Sequence, residues 1–476
     1  MRFRTTLVSL TVLAACGQKT EPAAVSAAEP DAVDAAAPAN DVPDAETATT
    51  APDVAPTDSA AAVPDVADVV QPQVWTTDLA NMPTAVHLTW QHDPATTVTV
   101  QWATTATELT GYQPKVWFAP EAVAGADGAK IPFATTATAS GAGEVYYQSL
   151  VTPTADDPHW VTWTVELTGL KPDTAYVYRA GTWEALDGQG FAKADLSDVL
   201  HFHTAPAKGK RQPFSAILAG DSRGAAKLIE ANADRLSQID AAVWIFNGDF
   251  CTSGLQPDWD EWFAAMAPIL NKRVLLPVLG NHEFFPPMFF GQFALPILPG
   301  VPQDYKEHAW SLDLANVHFV GLDSMQDSAV LDQVPWLEAD LQAARADPAV
   351  DWIIVMMHHP GYSASKHGST ERVTKYWSPL FDKYDVDLVF AGHDHNYERT
   401  VPIRAGKKVT QGPIYIVAGS FFVDEPYKAG KAWWTQTSAN GEIYNYVQLN
   451  VDGKTLSWQA FSGDGKQVLD THSLQK

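Results

Sequence analysis

The sequence predicts a β-sandwich domain followed by an α/β domain of two mixed β-sheets flanked by helices. Three observations support this. Composition changes abruptly at Trp75, after a long stretch with no aromatic residue. Short β-branched and aromatic runs, punctuated by turn residues, then fill 75–207. From 208 onward, apolar strands alternate with segments of helical spacing.

The 476 residues are too many for one ordinary domain, and 46% hydrophobic residues with 17 Trp, 14 Tyr and 20 Phe are ample for more than one core. A formal charge of −25 argues against nucleic acid as a surface-bound partner and against a polybasic membrane patch. The two cysteines, Cys16 and Cys251, exclude a disulfide framework and a Cys-based zinc site.

At the N-terminus, Arg2 and Arg4 precede an apolar stretch too short to span a bilayer, which ends in Leu13-Ala14-Ala15-Cys16. These residues resemble the lipobox of bacterial lipoproteins. The resemblance implies a signal peptide over 1–15, a lipidated Cys16, and contact with membrane through the lipid anchor only. It places the protein in the bacterial cell envelope, and Gly17 after the cysteine points to the outer membrane. An ordinary signal peptide cut near Ala14-Ala15 is the alternative. With Cys16, residues 17–74 complete a tether. They hold eight prolines, eleven acidic residues and one lysine, too little apolar surface to offset ordering entropy.

Within 75–207, strand-like runs occur at His87-Leu88-Thr89-Trp90, Thr97–Trp102 and Lys115–Phe118. The run Leu170-Lys171-Pro172-Asp173-Thr174-Ala175-Tyr176-Val177-Tyr178 resembles the corner of fibronectin type III sandwiches, where a tyrosine hydroxyl bonds back to the corner backbone. His87, His159, His201 and His203 are expected to be structural or surface residues.

In the second part, strands are expected at 214–219, 242–246, 274–279, 317–322, 352–357, 386–390 and 413–418, with strands closing a second sheet at 444–449 and 455–460. Helices are expected at 225–238, 259–270, 333–346 and 371–384. Five strands end in polar groups: Asp221, Asp249, Asn281-His282-Glu283, His358-His359, and His393-Asp394-His395. Ligands gather at the carboxyl ends of such strands, and carboxylates with imidazoles suit a pair of first-row metals. The Phe/Pro-rich stretch from Phe284 to Gln303 reads either as a substrate wall or, preferably, as packing against the first domain. Trp433 and Trp434 invite the same two readings.

The ordered set Asp221, Gly248-Asp249, Gly280-Asn281-His282-Glu283, His358 and Gly392-His393-Asp394-His395 resembles the calcineurin-like metallophosphoesterases. With Trp310-Ser311-Leu312-Asp313, and with Asn396-Tyr397-Glu398-Arg399 continuing the last motif, it is similar to the purple acid phosphatase branch. The resemblance implies two metal ions (iron, zinc or manganese) and in-line attack by a metal-bound hydroxide on a phosphate ester. It implies that Asp221 and His395 bind the first metal, that Asp249 bridges, and that Asn281, His358 and His393 bind the second. His282 would face the substrate and protonate the leaving oxygen, while Glu283 and Asp394 would support the ligands.

Two positions depart from the family. Thr252 stands where purple acid phosphatases carry a metal-binding tyrosine, with Tyr362 as one candidate replacement. Arg223 stands where many relatives have a histidine, and it suits either a substrate phosphate or a salt bridge. His367 weakly matches an outer histidine of some relatives. Three functions stay open at this point: a phosphomonoesterase, a phosphodiesterase or nucleotidase on the same site, and a surface adhesion or binding protein with a vestigial metal site.

Overall fold

The computed structural model describes residues 82–104, 113–125, 136–138, 144–147, 159–185, 192–283, 286–439 and 441–476. The expected signal peptide over 1–15, Cys16 and the expected tether lie outside the described residues. No described helix is long and apolar enough to cross a membrane.

A ten-stranded sheet forms the spine of the molecule. Its centre is parallel: Phe214–Ala219 pairs with Val243–Phe246, which pairs with Val274–Pro277. On one side run the antiparallel strands Asn445–Asp452, Thr455–Ser462 and Val468–Gln475. On the other side, Thr84–Thr89 adds in parallel to Val274–Pro277, with Leu88 opposite Val274. Val98–Thr104, His159–Leu167 and Glu144–Tyr147 follow. The N-terminal strands therefore continue the same sheet across the expected boundary at 207/208, where the chain makes a turn.

The remaining N-terminal strands form a five-stranded antiparallel sheet around Ala175–Ala185. Val116, Tyr178 and Ala180 from this sheet share a core with Val100, Trp102 and Val165. Lys171 N–H donates to the Tyr176 hydroxyl at 3.0 Å, closing the corner that the Leu-x-Pro run predicts. Tyr178 Oη donates to the carbonyl of Asn271 at the end of the helix Gln256–Leu270, tying the two parts together.

A seven-stranded sheet faces the first, with Trp310–Leu314, Val317–Leu322, Trp352–Met357, Leu388–Ala391, Ile414–Ala418, Tyr397–Thr400 and Thr435–Ser438 in that order. The two-residue side-chain period explains why its central strands are apolar throughout. Trp352, Ile354 and Met356 point into the core between the sheets, whereas Ile353, Val355 and Met357 join a second core on the opposite face. The helix Asp327–Ala346 supplies Leu337 and Leu341 to that second core. The last expected helix is present but contains one π turn at Val373–Trp377 before continuing as Ser378–Lys383.

The Phe/Pro-rich stretch, whose Phe284 and Phe285 lie outside the described residues, includes the helix Pro286–Gln292 and packs on both parts: Phe293 lies 5.5 Å from the His87 ring, and Ala294 N–H donates to Gln101 Oε1. Phe289 and Phe293 are buried against Phe250 and Trp259. His87 stacks on Phe263 at 4.7 Å and lies 2.5 Å from the carbonyl of Gln292, so it is structural.

His318 on Val317–Leu322 shows how one buried charge is held. Its Nδ1 lies 2.8 Å from Asp313 and its Nε2 lies 2.9 Å from Asp340. Burial opposes the charged form, but the two carboxylates outweigh it and push the pKa up to about 9. An unfolded histidine titrates near 6.5. The contribution to stability is therefore complete below pH 6.5 and is lost as pH rises to 9, with a span of about 3 kcal/mol. Thermal melts across this range should show the wild-type Tm falling, and His318→Gln should flatten that fall. An unchanged pH slope in the variant would disprove the assignment.

Candidate metal centre

Parallel register places the ligand-bearing loops at one edge of each sheet. Ala219, Phe246 and Pro277 end side by side, and Asp221, Asp249 and Asn281 follow within four residues of them. In the facing sheet, Trp352–Met357 runs directly into His358, and Leu388–Ala391 into His393 and His395. Asp221, Asp249 and His393 adopt φ of 59°, 54° and 67°, the left-handed region that non-glycine residues seldom occupy. Such strain clusters where surrounding structure holds a site in place. Small residues let the turns close. A Cβ on Gly392 would stand 2.2 Å from Asp221 Oδ2, and one on Gly280 would stand 2.2 Å from the Asp249 nitrogen.

The structure gathers the carboxylates and imidazoles into two clusters, Asp221–Asp249–His395 and Asp249–His358–His393, and Asp249 belongs to both. In the second, Asn281 Oδ1 lies 2.9 Å from both His358 Nε2 and His393 Nδ1. His358 Nε2 is 3.2 Å from His393 Nδ1 and 3.3 Å from Asp249 Oδ1. Metal–ligand bonds of about 2.0–2.2 Å in a tetrahedral site set donors roughly 3.3 Å apart, so this donor set fits an ion. In the first cluster, His395 Nε2 lies 3.6 Å from Asp221 Oδ1.

The outer contacts aim each ligand. His358 Nδ1 lies 2.7 Å from the carbonyl of Asn247, and His395 Nδ1 lies 2.7 Å from that of Glu425, which leaves each Nε2 turned inward. Tyr427 stacks on His395 at 4.3 Å. Burial holds His358 and His395 down to about 3 and His393 down to about 2, so their ligand nitrogens are unprotonated at neutral pH. Burial pushes Asp221 and Asp249 up, and the repulsion of Asp249 adds to the rise at Asp221. Two carboxylates buried this closely call for compensating positive charge.

Glu283 and Asp394 support turns. Glu283 accepts from the N–H groups of Gly280, Asp249, Phe250 and Cys251. Asp394 accepts from Ser363 Oγ and from the N–H groups of His367 and Gly368. Cys251 is buried among apolar residues.

His282 and Arg223 meet at the mouth of the site. Arg223 Nη1 lies 2.7 Å from His282 Nε2, and His282 Nδ1 lies 2.8 Å from the carbonyl of Thr252. The Nδ1–H donates to that carbonyl, so Nε2 accepts from the guanidinium. Asp424 stands on the other side of Arg223 at 3.8 Å. His367, exposed, sits 4.5 Å from the ring of His393. His359 Nδ1 lies 3.1 Å from Ser324 Oγ, and its ring packs 4.3 Å from that of His393.

Tyr362 is not a replacement for the missing tyrosine. It packs on Tyr415 and Trp434 in the second core. The tyrosine that reaches the site is Tyr427, and it presents its ring face to His395. No motif marked Tyr427, Asp424 or Glu425 in the sequence. They lie about 30 residues beyond His395 and are brought in by the turn that follows Ile414–Ala418.

Known proteins resemble this chain in sequence and fold. Residues 83–204 match the purple acid phosphatase N-terminal domain, and residues 200–397 match the calcineurin-like phosphoesterase family. The two matched segments follow one another along the chain. It is 32% identical over 266 residues to purple acid phosphatase 21 of Arabidopsis thaliana, covering 54% of this chain and 57% of that relative. It is 29% identical over 291 residues to an uncharacterized protein of Mycobacterium tuberculosis, covering 54% of each. The chain spans about half the length of these curated relatives. Among solved structures, the purple acid phosphatase PPD1 of yellow lupin superposes with a TM-score of 0.67 at 17% identity, covering 83% of this chain and 74% of that one. A structure of PhoD gives 0.54 at 12%, covering 84% and 92%. These likenesses show the fold, mixed sheets with helices behind an N-terminal domain.

Asp249→Ala removes a donor from both clusters, whereas Asp221→Ala removes one donor from one. Metal analysis should show the first variant losing both ions and the second retaining one. Equal retention would refute the bridging position. Iron-loaded protein under air should also lack a strong tyrosinate-to-iron band, because Thr252 offers no phenolate and Tyr427 stacks instead of ligating.

Proposed function

We propose that the chain is a dinuclear-metal phosphoester hydrolase, most readily a phosphomonoesterase. The observation that carries this reading is the membership of Asp249 in both donor clusters. Asp221, Asp249 and His395 would hold one ion, and Asp249, Asn281, His358 and His393 the other. When bound, such a pair supplies Lewis acidity and a nucleophile active near neutral pH. Iron, zinc and manganese all suit the donors.

The chain's own groups do the rest. Arg223 is poised to exchange His282 for a phosphate oxygen, since its guanidinium fork suits an oxyanion. That exchange frees His282 Nε2 to face the leaving oxygen, with the Thr252 carbonyl keeping the ring oriented. The backbone N–H of His282, 2.9 Å from Asp249 Oδ1, holds the bridging carboxylate in place. A phosphodiesterase or nucleotidase would use the same centre, and cleft walls decide between them. A vestigial site in an adhesion protein is disfavoured, because the donors still converge and the strained turns are kept.

We further propose that residues 75–207 are a fibronectin type III-like sandwich, that 208–476 carry the catalysis, and that lipid on Cys16 tethers the body to the cell envelope, at the outer membrane.

His282→Ala should lower turnover by about 10²–10⁴-fold with metal content intact. The loss should shrink for esters with acidic leaving groups, and an equal loss across leaving groups would assign His282 to binding instead. Rates on matched monoester and diester substrates, measured on metal-analysed protein, test the main reading: hydrolysis of neither would sink it. Fractionating host cells that express Cys16→Ser tests the anchor, since the variant should leave the membrane fraction.

A further inference from the structure

The loop that leaves His358 borders a second cavity, of about 450 Å³, whose walls include Tyr362, Trp433 and Trp434. The three rings meet edge to face. Tyr362 and Trp434 are 5.5 Å apart at 61°, Trp433 and Trp434 are 5.5 Å apart at 81°, and Tyr362 and Trp433 are 6.3 Å apart at 77°. Rings at steep angles offer π faces in several directions, unlike the parallel slot that suits a flat base. Trp433 is 51% exposed, so half of a large indole is left without packing.

Two hydroxyls in the lining are turned to the protein's own carbonyls. Thr374 and Ser369 donate their hydroxyl protons to the carbonyls of Glu371 and Ser363. Ser378 Oγ takes the proton of Tyr415 Oη. Asp382 is the single charged side chain in the lining, and one of its oxygens accepts from the N–H of Ala405. No Lys or Arg lines the cavity. The nearest guanidinium, on Arg404, is turned to the Asp382 carbonyl and to Asp385, which balances its charge. Lys375 lies over Tyr376. Thr374 belongs to the π turn at Val373–Trp377 and Ser378 follows it directly, an irregularity common at functional sites.

We propose that this cavity binds an organic ammonium ion, a quaternary or N-methylated amine of the size of choline. π faces attract such cations electrostatically, and a nearby carboxylate adds to the attraction. An anion would meet Asp382. A sugar could also stack on these rings, so glucose is the discriminating control. The loop through 360–369 also sends Ser363 and His367 to Asp394, so the cavity adjoins the metal centre without sharing a ligand with it.

The test is calorimetric titration of the purified protein with choline chloride, with tetramethylammonium chloride, glucose and inorganic phosphate in parallel. Both ammonium salts should bind saturably at one site and glucose should not. Trp433→Ala should weaken choline at least tenfold and Asp382→Asn at least threefold, both leaving phosphate binding and phosphoester turnover unchanged. Trp433 is half exposed, so its variant should fold, which a thermal melt verifies. Absence of saturable choline binding, undiminished binding by Trp433→Ala, or saturable glucose binding would each overturn the proposal. The readout is binding, so a failure of phosphoester hydrolysis leaves it standing.

Discussion

The centre depends on two carboxylates held out of water and close together. Asp221 and Asp249 sit at the ends of adjacent parallel strands, fully enclosed, in a backbone conformation that other residues avoid. Neither burial nor strain is favourable on its own. Both are sustained by the rest of the fold: the register of the two sheets, the glycines that admit close approach, and Glu283 gathering four backbone N–H groups beneath the bridge. The histidines come from the opposite sheet, so the centre forms only where the two sheets' carboxyl edges face each other.

Much of this was legible from the residues alone. A strand that ends in Gly-Asp or Gly-His declares both its direction and the edge at which its side chain emerges, so the constellation of polar groups was readable, and the family resemblance named the six candidate ligands within it. His358 was separated from His359 by the family resemblance, which sets the histidine three residues after a valine, here Val355. The pairing of Arg223 with His282 was not readable, since each group had an independent role in sequence and only their loops' proximity couples them. Tyr427 and the Glu425 carbonyl were invisible for a related reason. A stacking ring and a backbone oxygen act through position, and nothing in local residue pattern encodes position across 30 residues.

Element boundaries follow the same logic. The π turn at Val373–Trp377 leaves the helical periodicity of 371–384 almost intact, so spacing alone cannot reveal it. The helix Pro286–Gln292 was hidden by its prolines, which read as loop residues although they are tolerated in the first turn. Its Phe289, and Phe293 just beyond it, reach Phe250, the residue after Asp249, so this packing also braces the turn that carries Asp249.

The sheet that crosses from the N-terminal strands to the strands leading to Asp221, Asp249 and Asn281 makes the first part of the chain a covering for the second. Val274–Pro277, whose loop carries Asn281 and His282, has Thr84–Thr89 along its outer side. Without that neighbour it would become an edge strand, with bare N–H and C=O groups and an apolar sequence, the kind of surface that recruits other chains. The N-terminal part thus acts as a built-in guard against self-association, and the two parts are bound to inherit each other's solubility.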